Sequence, residues 1–136
     1  MPKKILLVSV CLFFLAGCGL KKNQQQAAAA IAEYHKHFNE GAADVIYDGS
    51  STEFKKAMTR EKFTHLMQTL STKLGTHVSS EEPGVFVNWT TNGTFVKATC
   101  ESKFSKADAS ETFQFKKHGE KMLLVGFNVN SSALLE

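Results

Sequence analysis

Thr94-Phe95-Val96-Lys97-Ala98-Thr99-Cys100-Glu101-Ser102-Lys103-Phe104 is the stretch on which the fold turns. Val96, Ala98, Cys100, Ser102 and Phe104 share one side of a two-residue repeat, while Lys97, Thr99, Glu101 and Lys103 share the other, the pattern of a strand with one dry face and one wet face. The dry face is small at its centre and bulky at its ends. That taper lets a helix approach closely or leaves a concavity. Cys100 lies on the dry side, and no basic or histidine neighbour in sequence is placed to lower its pKa, so it reads as a packed thiol rather than a reactive one.

On either side of this strand the sequence keeps alternating and is punctuated by turn residues. Strands are predicted over His77 to Glu81, Val85 to Thr90, Thr94 to Phe104, Ser110 to Lys117 and Lys121 to Asn130. Glu82-Pro83-Gly84-Val85 fits a type II turn, with proline setting φ and glycine taking the positive φ that follows. Asn92-Gly93 fits a two-residue hairpin loop. Another turn is expected near Lys106 to Ala109, and His118-Gly119-Glu120 makes the last. Leu123, Val125, Phe127 and Val129 are expected to complete the dry wall with Phe113 and Phe115.

Before Gly75 the period is helical. Four alanines from Ala27 lead into Ile31, Tyr34 and Phe38 on one face, and Asn39-Glu40-Gly41 ends the helix. Ala42 to Tyr47 should place Val45 and Ile46 in the core. Thr52 is the expected cap of the next turn, with Phe54 and Met58 inward. Thr59 caps again, with Glu61 in the first turn, and Phe63, Leu66, Met67, Leu70 and Leu74 form a stripe that stops before Gly75. Helices followed by about five antiparallel strands predict an α+β fold, with N-terminal helices packed on one face of a curved sheet.

The first residues follow a different logic. Met1-Pro2-Lys3-Lys4 precedes an apolar run from Ile5 to Leu15 interrupted by Ser9, and small residues Ala16-Gly17 lead to Cys18. This is the layout of an export signal, and the run falls short of the roughly 20 apolar residues that a membrane-spanning helix needs. Leu15-Ala16-Gly17-Cys18 resembles the lipobox of bacterial lipoproteins. The resemblance implies cleavage after Gly17 and a diacylglycerol thioether on Cys18, with further acylation of the new N-terminus. The alternative is an ordinary cleaved signal with an incidental cysteine. Two or more acyl chains make attachment stable, and Gly19 rather than aspartate after the cysteine favours the outer membrane, facing the periplasm. The chain is therefore expected to divide into a signal at 1–17, a lipidated cysteine and flexible tether at 18–26, and one domain at 27–136. Lys21 and Lys22 read as solvated tether residues, with contact to anionic headgroups as the lesser reading.

Without the signal, 119 residues remain, enough for one domain with one core. Lys3 and Lys4 leave with it, so the formal charge of +3 falls to +1, with 14 basic against 13 acidic side chains. That balance argues against nucleic acid as a partner. Cys11 is discarded, Cys18 is the anchor and Cys100 has no partner, so no disulfide is expected within the mature chain.

Phe38-Asn39-Glu40-Gly41 through Tyr47, Phe54-Lys55-Lys56, Thr59-Arg60-Glu61-Lys62-Phe63 and Lys73-Leu74-Gly75 resemble the helical half of a small cone-shaped fold. Asn88-Trp89-Thr90, Glu111-Thr112-Phe113 and Leu123-Leu124-Val125-Gly126-Phe127-Asn128 are similar to its sheet half. Over Ala27 to Ser131 the chain resembles the nuclear-transport-factor-two-like superfamily, in particular bacterial exported proteins of the domain of unknown function 4019 type. The resemblance implies a curved sheet around a helix, with a pocket or sheet face open to a ligand or to a second copy. It carries no reaction, since the superfamily holds isomerases, dehydratases and non-catalytic binders.

Among residues that could carry chemistry, Tyr34, Tyr47, Asp44, Asp48 and His77 are the candidates for acid–base work, and none lies in a motif that assigns a role. Asp44 and Asp48 flank a helix break and read as capping and surface residues. His35 and His37 point about 200° apart on a helix and cannot share an ion, and His65, His77 and His118 stand alone in sequence, so no metal or other cofactor is expected. Asn88-Trp89-Thr90 and Asn92-Gly93-Thr94 match a glycosylation pattern that a bacterial lipobox makes irrelevant. Trp89 fits one end of the core, or else anchors a partner. Tyr34, Tyr47, Trp89, Phe113 and Phe127 are the expected pocket or partner-contact residues. The function expected is a non-catalytic module binding an envelope protein or a small apolar ligand, with a small-molecule isomerase, dehydratase or hydrolase as the alternative and a homodimer as a third possibility.

Overall fold

The computed structural model describes residues 15–136, with the side chains of 15–18 and 20 outside the description. Residues 1–14 of the expected signal at 1–17, and the side chain of Cys18, therefore lie outside the described residues. The chain runs α1 (Leu15–Asn39), α2 (Ala43–Asp48), α3 (Thr52–Ala57), α4 (Arg60–Leu74), then β1 (His77–Ser80), β2 (Gly84–Thr90), β3 (Gly93–Phe104), β4 (Asp108–His118) and β5 (Lys121–Asn130), and ends in a 3₁₀ turn at Ser132–Leu135. The class is α+β, with an open antiparallel sheet. Among the described residues no helix is long and apolar enough to cross a membrane.

β3 is the spine. β1 and β2 pair end to end along one of its edges and β4 along the other, with β5 outermost. Its dry face is the one the alternation predicts: Val96, Ala98, Cys100, Ser102 and Phe104 are all buried, and Lys97, Thr99, Glu101 and Lys103 are exposed. α1 lies over this face and meets it with Ala27, Ile31, Tyr34 and Phe38, while α4 presents Phe63, Met67, Leu70 and Leu74. Phe63 and Phe113 have no exposed surface, and full burial of such a ring contributes about 1.5–3 kcal/mol.

Two bulges decide which side chains reach the interior. In β5 an extra residue opposes Gln114–Phe115, so Phe127 pairs with Phe113 whereas Leu124, not Leu123, pairs with Phe115. Leu124 is accordingly buried, and Leu123 turns to the outer side opposite Lys116. In β1 a bulge between His77 and Ser79 sets His77 opposite Phe104 and Ser80 opposite Ser102. Both partners point inward, so both β1 residues do too.

Several local expectations shift. Gly84 opens β2 with no positive φ, so Glu82–Val85 is not a type II turn. The β2–β3 loop is Thr91–Asn92, because Thr90 already pairs with Gly93 and the Thr90 hydroxyl receives Asn92 N–H. Ser51 rather than Thr52 caps α3, its Oγ accepting from Phe54 N. Val45 is half exposed and Tyr47 takes the buried position in α2. The largest difference is at the N-terminus. Residues 19–26, read as a tether, belong to α1. Asn23 is buried and accepts from Lys117 Nζ at 2.8 Å, Gln24 donates to the Pro83 carbonyl, and Gln26 donates to Glu120. A segment whose one large apolar residue is Leu20 is thus held by side-chain hydrogen bonds to the sheet, which composition does not reveal.

Candidate functional site

α1 is the element that brings chemistry to the sheet. Its stripe of Ile31, Tyr34 and Phe38 must face inward, and on a 3.6-residue period His35 turns inward with them. His35 is buried among Tyr34, Phe104 and Phe113. Its Nε2 lies 2.7 Å from Glu111 Oε1, and Glu111, on the dry face of β4, is almost wholly enclosed. A carboxylate in such a place needs donors. It has a second in Ser102, whose Oγ donates to the same oxygen at 2.5 Å.

From Ser102 the contacts continue outward. Ser102 and Ser80 hydroxyls are 2.6 Å apart, and Ser80 Oγ is 2.7 Å from His77 Nε2. With Glu111 as the terminal acceptor the donor directions are set: Ser102 gives its proton to Glu111, Ser80 to Ser102, and His77 Nε2–H to Ser80. The circuit closes through space, because the His77 ring stacks on His35 with centroids 3.5 Å apart and planes 6° from parallel. The last residue of α1, Asn39, clamps β1 by accepting from His77 N and donating to His77 O.

The circuit lies beside a groove of about 540 Å³ between α1 and β1, lined by Ala28, Ile31, Ala32, Val78 and Pro83 with His35, His77 and Ser80 among its polar groups and exposed Lys36, Glu81 and Glu82 at its rim. Burial and then the neighbouring His35 ring hold His77 below the ordinary histidine range. Burial pushes the Cys100 thiol up, with Ser102 Oγ 3.7 Å away. Burial, and then the Glu111 charge, push the Tyr34 hydroxyl well up. The groove therefore presents a half-buried neutral imidazole and a hydroxyl, both hydrogen-bonded toward a carboxylate beneath.

His35, His77 and Glu111 also offer two imidazoles and a carboxylate with ligating atoms within 4.8 Å of one another, a set of the kind that binds zinc. Their geometry does not suit an ion. A metal lies in the plane of each imidazole that holds it, and two rings stacked in parallel share no plane. His35 Nε2 and Glu111 Oε1 are moreover already in direct contact. His77, isolated in sequence, is thus brought onto His35 by the approach of α1 to β1, and what forms is a hydrogen-bonded network.

The expected pocket residues are dispersed. Tyr34 and Phe113 are core, and the Tyr34 hydroxyl faces Met67 Sδ at 3.7 Å. Tyr47 is buried and donates to the Met58 carbonyl. Phe127 lines a small apolar cleft near α3 and α4, away from the histidines. Trp89 does not fill the core: it is 70% exposed. Asp44 and Asp48 are both bound by Arg60, which also lies over the Tyr47 ring. A larger groove, about 680 Å³, lies on the other flank of α1 against α2 and β5, but its charged residues Glu33, Asp48, Glu120 and Lys121 stand in solvent. Ser102 is a dry-face position by its period, and Glu111 falls two residues before Phe113 on the same face of β4; that their polar groups converge on His35 and His77 is not visible in the sequence. A scan against protein-family models finds no match for this chain, and a search of curated proteins finds none either.

Proposed function

We propose that this chain is a bacterial envelope lipoprotein, acylated at Cys18 after cleavage behind Gly17, whose domain binds a small, partly apolar ligand in the α1–β1 groove. The fold on this reading is of the nuclear-transport-factor-two-like kind. One observation carries the ligand reading: a groove of mixed lining, with Ala28, Ile31, Ala32 and Pro83 on its floor and Lys36, Glu81 and Glu82 at its rim, into which His77 and Ser80 are held by partners that run to Glu111. Ligand sites combine apolar walls with a few well-held polar groups in this way. The test is native mass spectrometry of the acylated chain isolated from membranes, beside an Ala32→Trp variant that fills the groove from the exposed side of α1 and is checked for an unchanged melting temperature. A small-molecule adduct present in the parent and lost in the variant supports the reading. No adduct, or the same adduct in both, overturns it.

The same geometry supports a second reading, an acid–base enzyme with His77 as the proton-accepting group. The observation in its favour is that His77 is held neutral near pH 7 and linked through two hydroxyls to a buried carboxylate. Recovery of chemically altered ligand from the parent and unaltered ligand from His77→Gln supports it. Unaltered ligand from both leaves binding as the function.

A further inference from the structure

We propose that the end of the sheet carrying the Thr91–Asn92 and Gly119–Glu120 turns is a docking surface for an anionic lipid bilayer, with Trp89 seated at the interface and Lys21, Lys22, Lys117 and Lys121 set over the headgroups. This rests on the reading of Cys18 as acylated. The argument begins with where α1 enters the domain. Lys117 Nζ holds Asn23, and Glu120 accepts from Lys22 and Gln26, so the first turns of α1 are fixed to the β4–β5 turn. Cys18 is five residues before Asn23. At helical rise that is about 7.5 Å, and even fully extended it is no more than about 18 Å. A bilayer holding Cys18 therefore lies where α1 begins, beside the β4–β5 turn.

What this end presents suits such a surface. Trp89 pairs with Thr94 one step before the Thr91–Asn92 turn, and it shares the sheet face over which α1 lies. An indole 70% exposed is costly in water and is at home at the headgroup level of a membrane. Lys21, Lys22 and Lys121 are exposed, Lys117 is half buried, and Glu120 is the acid among them, already engaged by Lys22. With a Debye length of about 8 Å at physiological ionic strength, lysines held this near the anchor feel the surface potential of an anionic leaflet. A soluble partner protein would also meet an exposed indole, but the basic groups collected beside the anchor favour the bilayer.

Trp89 is the sole tryptophan of the chain, so its fluorescence reports on the surface directly. The acylated chain is incorporated into vesicles of phosphatidylcholine alone and of phosphatidylcholine with phosphatidylglycerol, each with and without brominated acyl chains. Docking predicts blue-shifted, bromine-quenched Trp89 emission in the anionic vesicles, reversed by high salt, and aqueous emission in the neutral ones. Each lysine near an anionic surface strengthens association about fivefold, so Lys21→Gln with Lys121→Gln lowers the docked-to-undocked ratio about 25-fold. Trp89 emission that stays aqueous and unquenched in anionic vesicles, or quenching undiminished in the lysine variant, overturns the surface while the anchor stands. An intact mass of the membrane-isolated chain with no acyl addition overturns the acylation reading and this surface with it.

Discussion

The imidazole rings of His35 and His77 lie face to face, 3.5 Å between centroids, and two imidazolium ions cannot occupy that stack together. Desolvation, and then His35, hold the His77 pKa down, against the opposing pull of Glu111 and of a hydrogen bond to the Ser79 backbone. Two-dimensional NMR titration should show His77 protonating below the ordinary midpoint of about 6.5, and His35→Gln should raise it. The consequence for stability has a definite sign. Because the unfolded chain binds this proton more readily, the contribution of neutral His77 is complete above about pH 6.5 and is lost as pH falls below it. Chemical denaturation from pH 7.5 to 5 should show that slope, flattened in His77→Gln. A His77 midpoint at or above the ordinary value contradicts the stacked arrangement.

Glu111 bears the buried end of the network, and its loss should be felt through its donors. Glu111→Ala strands His35 Nε2 and Ser102 Oγ in an enclosed site, and each buried polar group left without a partner costs about 1–3 kcal/mol. Replacing both partners, Glu111→Leu with His35→Leu, removes the stranded imidazole while Ser102 Oγ still lacks its acceptor, and should cost less than the two single changes, Glu111→Leu and His35→Leu, combined. Urea unfolding of the four proteins gives the coupling directly. Additive losses would mean that His35 and Glu111 do not act as a pair.

The backbone plan is legible in residues because burial enforces period. β3 must hide Val96 through Phe104 on one side, and α4 must hide Phe63 through Leu74 on one stripe, so both can be written down unaided. The site is not legible for the opposite reason. Ser80 and His77 are three apart, which in a regular strand sends them to opposite faces. Only the bulge at Val78 brings both inward. His35 and Glu111 are each readable as inward positions, but their meeting depends on where α1 settles across the sheet. Trp89 misled because size alone argues for a core, while its place one pair from a hairpin end leaves nothing above it to pack against.

Arg60 spans Asp44 and Asp48 on the surface, and both ion pairs are open to solvent. Hydrogen bonding from Arg60 holds the Asp48 carboxyl below its ordinary range. Arg60→Ala should return the Asp48 midpoint upward toward the ordinary aspartate value, read by NMR, and high salt should reproduce part of that rise in the parent. For a carboxyl lowered on folding, any stabilisation is present above the unfolded pKa and is lost on acidification. An unchanged Asp48 midpoint in the variant would remove Arg60 as its partner.

Gly75 joins the two halves of the fold and tolerates little. It ends α4 with φ of +81°, and a Cβ there would stand 2.0 Å from Ser105 Oγ, the hydroxyl that accepts from Thr76 N. The same junction is held by Lys106 N to Leu74 O and Ser105 N to Thr76 O. Gly75→Ala meets two separate penalties: left-handed backbone for a residue with a side chain, of order 1–3 kcal/mol, and a clash that displaces Ser105. Ser105→Gly removes the clashing Oγ together with the acceptor of Thr76 N–H, so Gly75→Ala should cost less in a Ser105→Gly background than in the parent, by the clash alone. An equal cost of Gly75→Ala in both backgrounds, read from urea unfolding, would show that the Ser105 hydroxyl has no part in fixing this glycine.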